Sequence, residues 1–336
     1  MCTKLPFGKV DPECLTRYVF DRLPPPSERV VVGPSVGEDA AIIDMGGLEG
    51  TYMVVSSDPI SGAESEIGRY AVHVNANDVA TAGARPSLFA TNLMMSRSAT
   101  PRDLKVLFGQ ICEECAALGI SIVGGHTEVS PIDRTIVSST MIGFVARDAL
   151  ARRPIEPGDV LILTKGAGIE GTSIVASKRG EELARLLGRG LIRRARAFSR
   201  KISVVPEAMI AAEERVKRMH DPTEGGVLGG LLEMCVASRI SARVDPARIP
   251  IAPETKAICE RLGIDPLKLI GSGSLLCIFS SQAARRVQRR FSKAGIPSAR
   301  IGIVEKVGKP KLVLIAESGE EELKQFPPDE LWGAIL

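Results

Sequence analysis

Apolar residues in the first half of the chain fall into two rhythms. The runs "TYMVVSSD" and "TIVSSTMIGFVAR" are apolar and β-branched and read as strands, while "EIGRYAVHVNANDVATAGA" and "TPRDLKVLFGQICEECAALG" carry helical spacing. A further short strand, "ISIVGG", lies between the second helix and the last strand, which makes one mixed α/β unit. The two long strands have few partners within residues 30–150, so their edges are predicted to stay open for pairing with another chain. At "RRPIEPGDVLILTK" two prolines and a Pro-Gly turn reset the pattern, placing a boundary near Ala151 and dividing the chain into residues 1–150 and 151–336. Beyond it, helices ("TSIVASKRGEELARLLG", "VPEAMIAAEERVK", "GVLGGLLEMCVAS", "SQAARRVQRRFSKAG") alternate with strands ("SARVD", "SLLCIFS", "ARIGIVEKV", "KLVLIA"). No short-period repeat interrupts them.

One apolar helical run carries polar groups that its period does not explain. In "VNANDVATAGARP", Asn75, Asn77 and Asp78 precede a small-residue segment closed by Gly83 and Pro86. Read locally, Asn77 or Asp78 caps a helix starting at Val79. Three similar motifs change the picture: "GPSVGEDAAII" with Gly33, Gly37, Glu38 and Asp39, "VVSSDPISG" with Asp58 at a strand end, and "IVGGHTEVSP" with Gly124, Gly125, His126, Thr127 and Glu128. Each stands where a rigid element meets a cleft. Carboxylates gathered this way repel one another unless a cation is present, and hard oxygen ligands suit Mg²⁺ or Ca²⁺, of which Mg²⁺ usually retains waters while bridging to phosphate. The glycines let backbone N–H groups approach that phosphate.

The second half adds "HDPTEGGVLGGLLE", whose His220, Asp221, Thr223 and Glu224 read either as a capping arrangement or as the far wall of an interdomain cleft. His126 and His220 are candidate proton-transfer groups. "KGAGIEG" satisfies a dinucleotide fingerprint through Gly166, Gly168 and Gly171, but the acid expected at a following strand end is missing. No phosphate-binding G-x-x-x-x-G-K-[ST] loop occurs.

Composition narrows the classes. With 43 Lys+Arg against 40 Asp+Glu, the charge of +3 implies no nucleic-acid partner, and the basic stretch 189–201 suits a solvated helix face. The start "MCTKLPFGKVDPE" has no signal-peptide core and no segment approaches a membrane span, so the expectation is a soluble cytoplasmic protein. The seven cysteines, "CEEC" included, are expected to be reduced core thiols. The single tryptophan, Trp332, is expected to anchor the tail.

The ordered set "GEDAA", "SSDPI", "NANDVATAGARP", "GGHTE", "PGDVLILTKGAGIEGT", "DPTEGG" and "GSGSLL" resembles the superfamily of aminoimidazole ribonucleotide (AIR) synthase, selenophosphate synthetase, thiamine-monophosphate kinase and the hydrogenase maturation protein HypE. It covers about residues 30 to 310 and looks most like archaeal-type, HypE-like members. The resemblance implies a two-domain PurM-like α/β (α+β) fold: an N-terminal half-barrel domain that binds ATP and pairs in a homodimer, and a C-terminal α/β sandwich. It implies ATP·Mg²⁺ cofactors and phosphoryl transfer activating an amide or carbonyl oxygen of a small or protein-borne substrate, in the setting of hydrogenase metallocentre maturation. Matched position by position, Asp39, Asp58 and Asp78 are metal–phosphate acids, with Gly37, Asn75, Asn77, Gly124, Gly125, Thr127 and Thr223 as cofactor contacts. Asp78, His126, Glu128, Asp221 and Glu224 match catalytic positions. Two departures stand out: HypE carries a C-terminal cysteine where this sequence reads "ELWGAIL", and neither Cys2 nor Cys14 matches the reactive selenophosphate-synthetase motif. A non-catalytic ATP-binding scaffold is the alternative.

Overall fold

The computed structural model describes residues 9–46, 50–61, 66–316 and 319–335, so Cys2 lies outside the described residues. The first unit is built on a six-stranded sheet in the order β1-β2-β3-β6-β4-β5. Its strands are β1 (Val30–Val32), β2 (Ala41–Asp44), β3 (Thr51–Ile60), β4 (Arg85–Met95), β5 (Ser121–Val129) and β6 (Ile136–Ala146). All neighbours are antiparallel except β4 and β5. Three helices accompany it, α1 (Pro12–Tyr18), α2 (Ile67–Thr81) and α3 (Pro101–Leu118).

The second unit carries a seven-stranded sheet in the order β13-β12-β9-β11-β7-β10-β8. These strands are β7 (Val160–Thr164), β8 (Arg218–His220), β9 (Ile240–Val244), β10 (Leu276–Phe279), β11 (Ser298–Val307), β12 (Lys311–Ala316) and β13 (Gly319–Leu323). Eight helices belong to it among the described residues: α4 (Ile169–Lys178), α5 (Gly180–Leu187), α6 (Arg189–Arg196), α7 (Val205–Glu213), α8 (Gly226–Ser238), α9 (Pro253–Leu262), α10 (Ser281–Lys293) and α11 (Leu331–Ile335). β7 runs antiparallel to both of its neighbours, β10 and β11, so Gly166, Gly168 and Gly171 do not open a parallel dinucleotide fold. Gly171 is instead where Leu269 packs onto α4.

Two expectations are corrected here. The long strands β3 and β6 are not open edges: they pair with each other over ten residues inside the sheet. The terminal strands are β1 and β5, and β5 is exposed along its whole length, including Val123 at 58% and Val129 at 66%. The fit of β4 between β6 and β5 explains the change, since Phe89, Thr91, Leu93 and Met95 alternate into the core and Thr91 masks that period. Finally, α2 does not begin at Val79 but runs from Ile67, so Asn75, Asn77 and Asp78 are buried helix-interior residues and cap nothing.

A large apolar cluster crosses the junction of the two sheets. It joins Ile42, Val79, Phe89 and Met141 of the first unit to Val160, Ile162, Phe279 and Phe291 of the second. Cys115, Cys235, Cys259 and Cys277 are buried free thiols, and burial pushes Cys115 up to about 12, which makes "CEEC" inert on that side.

Candidate active site between the two sheets

The buried polar groups of α2 are fasteners. Asn75 Oδ1 accepts the Asp58 backbone N–H at 2.9 Å while its amide donates to the Ala71 carbonyl at 2.9 Å, so the end of β3 is clipped to the helix. Asn77 reaches the other unit: its amide donates to the Ile202 carbonyl at 2.9 Å and its Oδ1 accepts the Val204 N–H at 2.8 Å. Neither asparagine lines the cleft where cofactor contacts were expected of both, although Asn75 holds the backbone of Asp58, which does. Asp78 does line the cleft, and Ser56 Oγ donates to its Oδ2 at 2.5 Å.

From the opposite side, β8 delivers His220 and Asp221, and the turn Thr223–Glu224 leads through Gly225 and Gly226, at φ +79° and +63°, into α8. Gly37, at φ +78°, lets the loop before β2 lie on α8, because a Cβ there would stand 2.5 Å from the Glu233 carbonyl. That close approach brings Glu38 and Asp39 against β8. Arg218 holds Glu38 at 2.8 Å, with Arg152 on the other carboxylate oxygen.

The result is a cleft of about 730 Å³ lined by Asp39, Asp58 and Asp78 of the first unit and by Glu170, His220, Asp221, Thr223 and Glu224 of the second. His220 is held from both ring nitrogens, by Asp39 at 2.6 Å and Glu233 at 3.1 Å. Burial opposes its charge, but the two carboxylates outweigh that and raise it to about 10. It is therefore an imidazolium at neutral pH, a fixed charge and not the proton-transfer base that the sequence suggested. Lys9, from the segment before α1, adds a second cation through Glu233 at 2.5 Å.

Asp78 and Asp221 are the opposite case. Both are deeply buried and both stand well above the usual carboxylate range, chiefly through burial, with Asp221 itself acting on Asp78 and Asp39 on Asp221. Neither carboxylate oxygen of Asp221 meets a hydrogen-bond partner. Two such acids facing a cleft fit a cation that would relieve them, although no group of three or more His, Cys, Asp or Glu is set to hold a metal ion among the described residues. Asp39, Asp58 and Asp78 therefore do not form a ready-made ligand cage, Asp39 being occupied by His220.

The glycine-rich motif behaves differently from expectation. Gly124, Gly125, His126, Thr127 and Glu128 lie on the exposed edge strand β5 and do not line the cleft of a single chain. His126 and Glu128 stand 3.5 Å apart in solvent, and Ser130 Oγ donates to Glu128 at 2.5 Å.

Residues 37–145 match the N-terminal domain, and residues 156–315 the C-terminal domain, of AIR synthase related protein. The chain belongs to the AIR synthase-related family. Among similar proteins, a hydrogenase expression/formation protein of Methanocaldococcus jannaschii is 28% identical to this AIR synthase-related chain over 283 residues, covering 83% of it and 82% of the relative. Carbamoyl dehydratase HypE of Cupriavidus necator is 28% identical, covering 81% and 78%. Escherichia coli HypE superposes with a TM-score of 0.73 over 92% of this chain and 96% of its own at 23% identity, and HypE in complex with ATP with 0.69 over 88% and 91% at 24%. These likenesses identify the fold of this AIR synthase-related protein as that of HypE: two mixed α/β units, each built on its own sheet.

The cleft also contains members that the sequence did not single out, Lys9 and Glu170 in its lining and Glu233 and Ser56 bonding to its residues, and Trp332, expected only to anchor the tail, lines it too. Trp332 is half-buried on a tail whose Asp329 accepts the Gly225 N–H at 2.7 Å, so the tail is anchored and at the same time forms a wall. Lys9 and Glu233 are 224 positions apart and give no local signal. Glu170 was concealed within the glycine fingerprint.

Proposed function

We propose that this chain is an enzyme that uses ATP with Mg²⁺ to phosphorylate, and so activate as a leaving group, an amide or carbonyl oxygen of its acceptor, in the setting of hydrogenase metallocentre maturation. The observation that carries this reading is Asp221, buried, unpartnered and facing Asp78 across the cleft between the two units. The curated relatives named carbamoyl dehydratase and the solved HypE–ATP complex support the same reading. Asp58 and Asp78 would hold the magnesium together with phosphate and water oxygens, and the ion would supply charge neutralisation on the phosphates when bound. His220 and Lys9 offset the charges of Asp39 and Glu233, so these four groups set no net negative charge against the phosphates. With an amide acceptor, the carbonyl oxygen bonds to the γ-phosphorus as the bond to ADP breaks, and a raised carboxylate such as Asp221 is placed to take the proton that the amide nitrogen gives up.

Pairing of two copies through the first unit belongs to the proposal. β5 offers an unpaired backbone edge flanked by exposed Ile122, Val123 and Val129, and a second copy there would put Gly124–Glu128 at the junction of protomers.

Calorimetry with ATP and magnesium tests the site. The Asp78→Asn variant is expected to bind at least about tenfold more weakly, in keeping with the loss of a charge-assisted contact. Equal affinity would remove Asp78 from the site. ATP bound without ADP release in the presence of AIR-synthase, selenide or carbamoyl substrates would favour the scaffold.

A further inference from the structure

Glu170 and Glu224 line the cleft but have no part in the phosphate-binding reading. Glu170, near the start of α4, is 5% exposed, lines the cleft, and has its Oε2 without any hydrogen-bond partner. Glu224 and Asp221 line the same cleft, and Asp329 accepts the Gly225 N–H at the turn that follows Glu224. Lys9, the cation nearest Glu224, has its ammonium engaged by Glu233. The wall is completed by Ile270, Ser272 and the indole of Trp332.

An isolated ionised carboxylate in such a place costs stability and persists where a ligand compensates it. Burial pushes Glu170 up to about 7, with Asp329, Glu224 and Asp221 adding to the effect. A polyphosphate is repelled by this wall. A bare metal ion is not favoured either, because the acids are not grouped as a ligand set among the described residues and an aromatic and an aliphatic side chain share the surface. Acid oxygens in a cleft that a tryptophan also lines are a combination that suits an organic cation carrying an apolar body.

We propose that Glu170, Glu224 and Trp332 form a recognition site for a protonated amine or guanidinium group on the acceptor substrate. This rests on the reading of the cleft as an ATP-dependent acceptor site and specifies one end of it. The cation anchors the acceptor at Glu170 and leaves its reacting oxygen toward Asp221 and the phosphates. A free metabolite and a lysine or arginine side chain of a protein supply the same chemistry.

Ligand-observed NMR titration of the full chain with butylammonium, butylguanidinium, neutral butyramide and a capped tripeptide with a central lysine tests this. The cations are expected to bind while butyramide does not, and Glu170→Gln and Glu224→Gln are each expected to weaken cation binding about tenfold. The tripeptide binding better than butylammonium assigns the cation to a protein side chain, and the reverse to a small molecule. Two results overturn the proposal: butyramide binding as well as the cations, or both variants binding the cations as wild type does. Displacement of butylammonium by magnesium alone also overturns it, by making the wall a metal site. Circular dichroism of the variants separates misfolding from lost recognition, and Glu224, being only partly buried, provides the variant less exposed to that risk. Calorimetry of the same samples with ATP keeps the two readings apart: ATP bound but no cation bound rejects this inference alone.

Discussion

Glu170 is a single side chain whose protonation connects stability to function. Its folded pKa of about 7 lies above the ordinary 4.5, so the folded protein binds the extra proton and the cost of ionising Glu170 appears as pH rises from about 4.5 to about 7. Glu170→Gln is therefore expected to stabilise the protein by about 2–4 kcal/mol at pH 8 and by little at pH 5, read from urea unfolding at the two pH values. His220 has the opposite sign. Raised from 6.5 to about 10, it contributes stability that is complete below about 6.5 and lost as pH climbs through 10. Its partner Glu233, lowered to about 2 because His220 and Lys9 overcome its burial, contributes above about 4.5 and loses that as pH falls through 2. His220→Gln should flatten the alkaline limb of the stability curve, and an unchanged limb between pH 8 and 10 would contradict the ion triad.

At the level of elements, much of the fold was legible. "GVLGGLLEMCVAS" reads as a helix and forms α8 residue for residue, because its apolar stretch is bounded by glycines at one end and a left-handed Arg239 at the other. "TSIVASKRGEELARLLG" reads as one helix but forms α4 and α5. The break lies at Arg179–Gly180, where the Arg196 guanidinium fills the space a side chain would need, a tertiary contact that no local period contains. The cleft lining was legible at Asp39, Asp58 and Asp221, which stand just before β2, near the end of β3 and just after β8. It was illegible where it depends on partners far along the chain, as with Lys9 and Glu233. α2 carries the most consequential side chains of this kind. Asn77→Ala strands the buried Val204 N–H and Ile202 carbonyl, which should cost about 2–4 kcal/mol of stability in urea denaturation. A loss under about 0.5 kcal/mol would mean that water replaces the amide.

For the whole molecule, the open β5 edge sets the assembly prediction. Light scattering at micromolar concentration should give twice 35.8 kDa for the wild type, while Val123→Lys on β5, 58% exposed in the single chain, should shift the mass toward 35.8 kDa. A wild-type monomer would overturn the pairing. Calorimetric unfolding should show one transition, because the apolar cluster that contains Phe89 also contains Phe279 and Phe291. Two resolved transitions would mean that the halves melt independently.

The shared core has a consequence for inheritance. A gene for this protein cannot be recombined freely at its waist, because a second half taken from a relative must present a backbone N–H and carbonyl to Asn77 where Val204 and Ile202 do, and must match the apolar seam around Val79 and Phe279. Chimaeras joined near Ala151 should survive selection only when seam and asparagine partner travel together, so the two halves would diversify as one unit while the exposed surfaces of α6 and α10 drift separately.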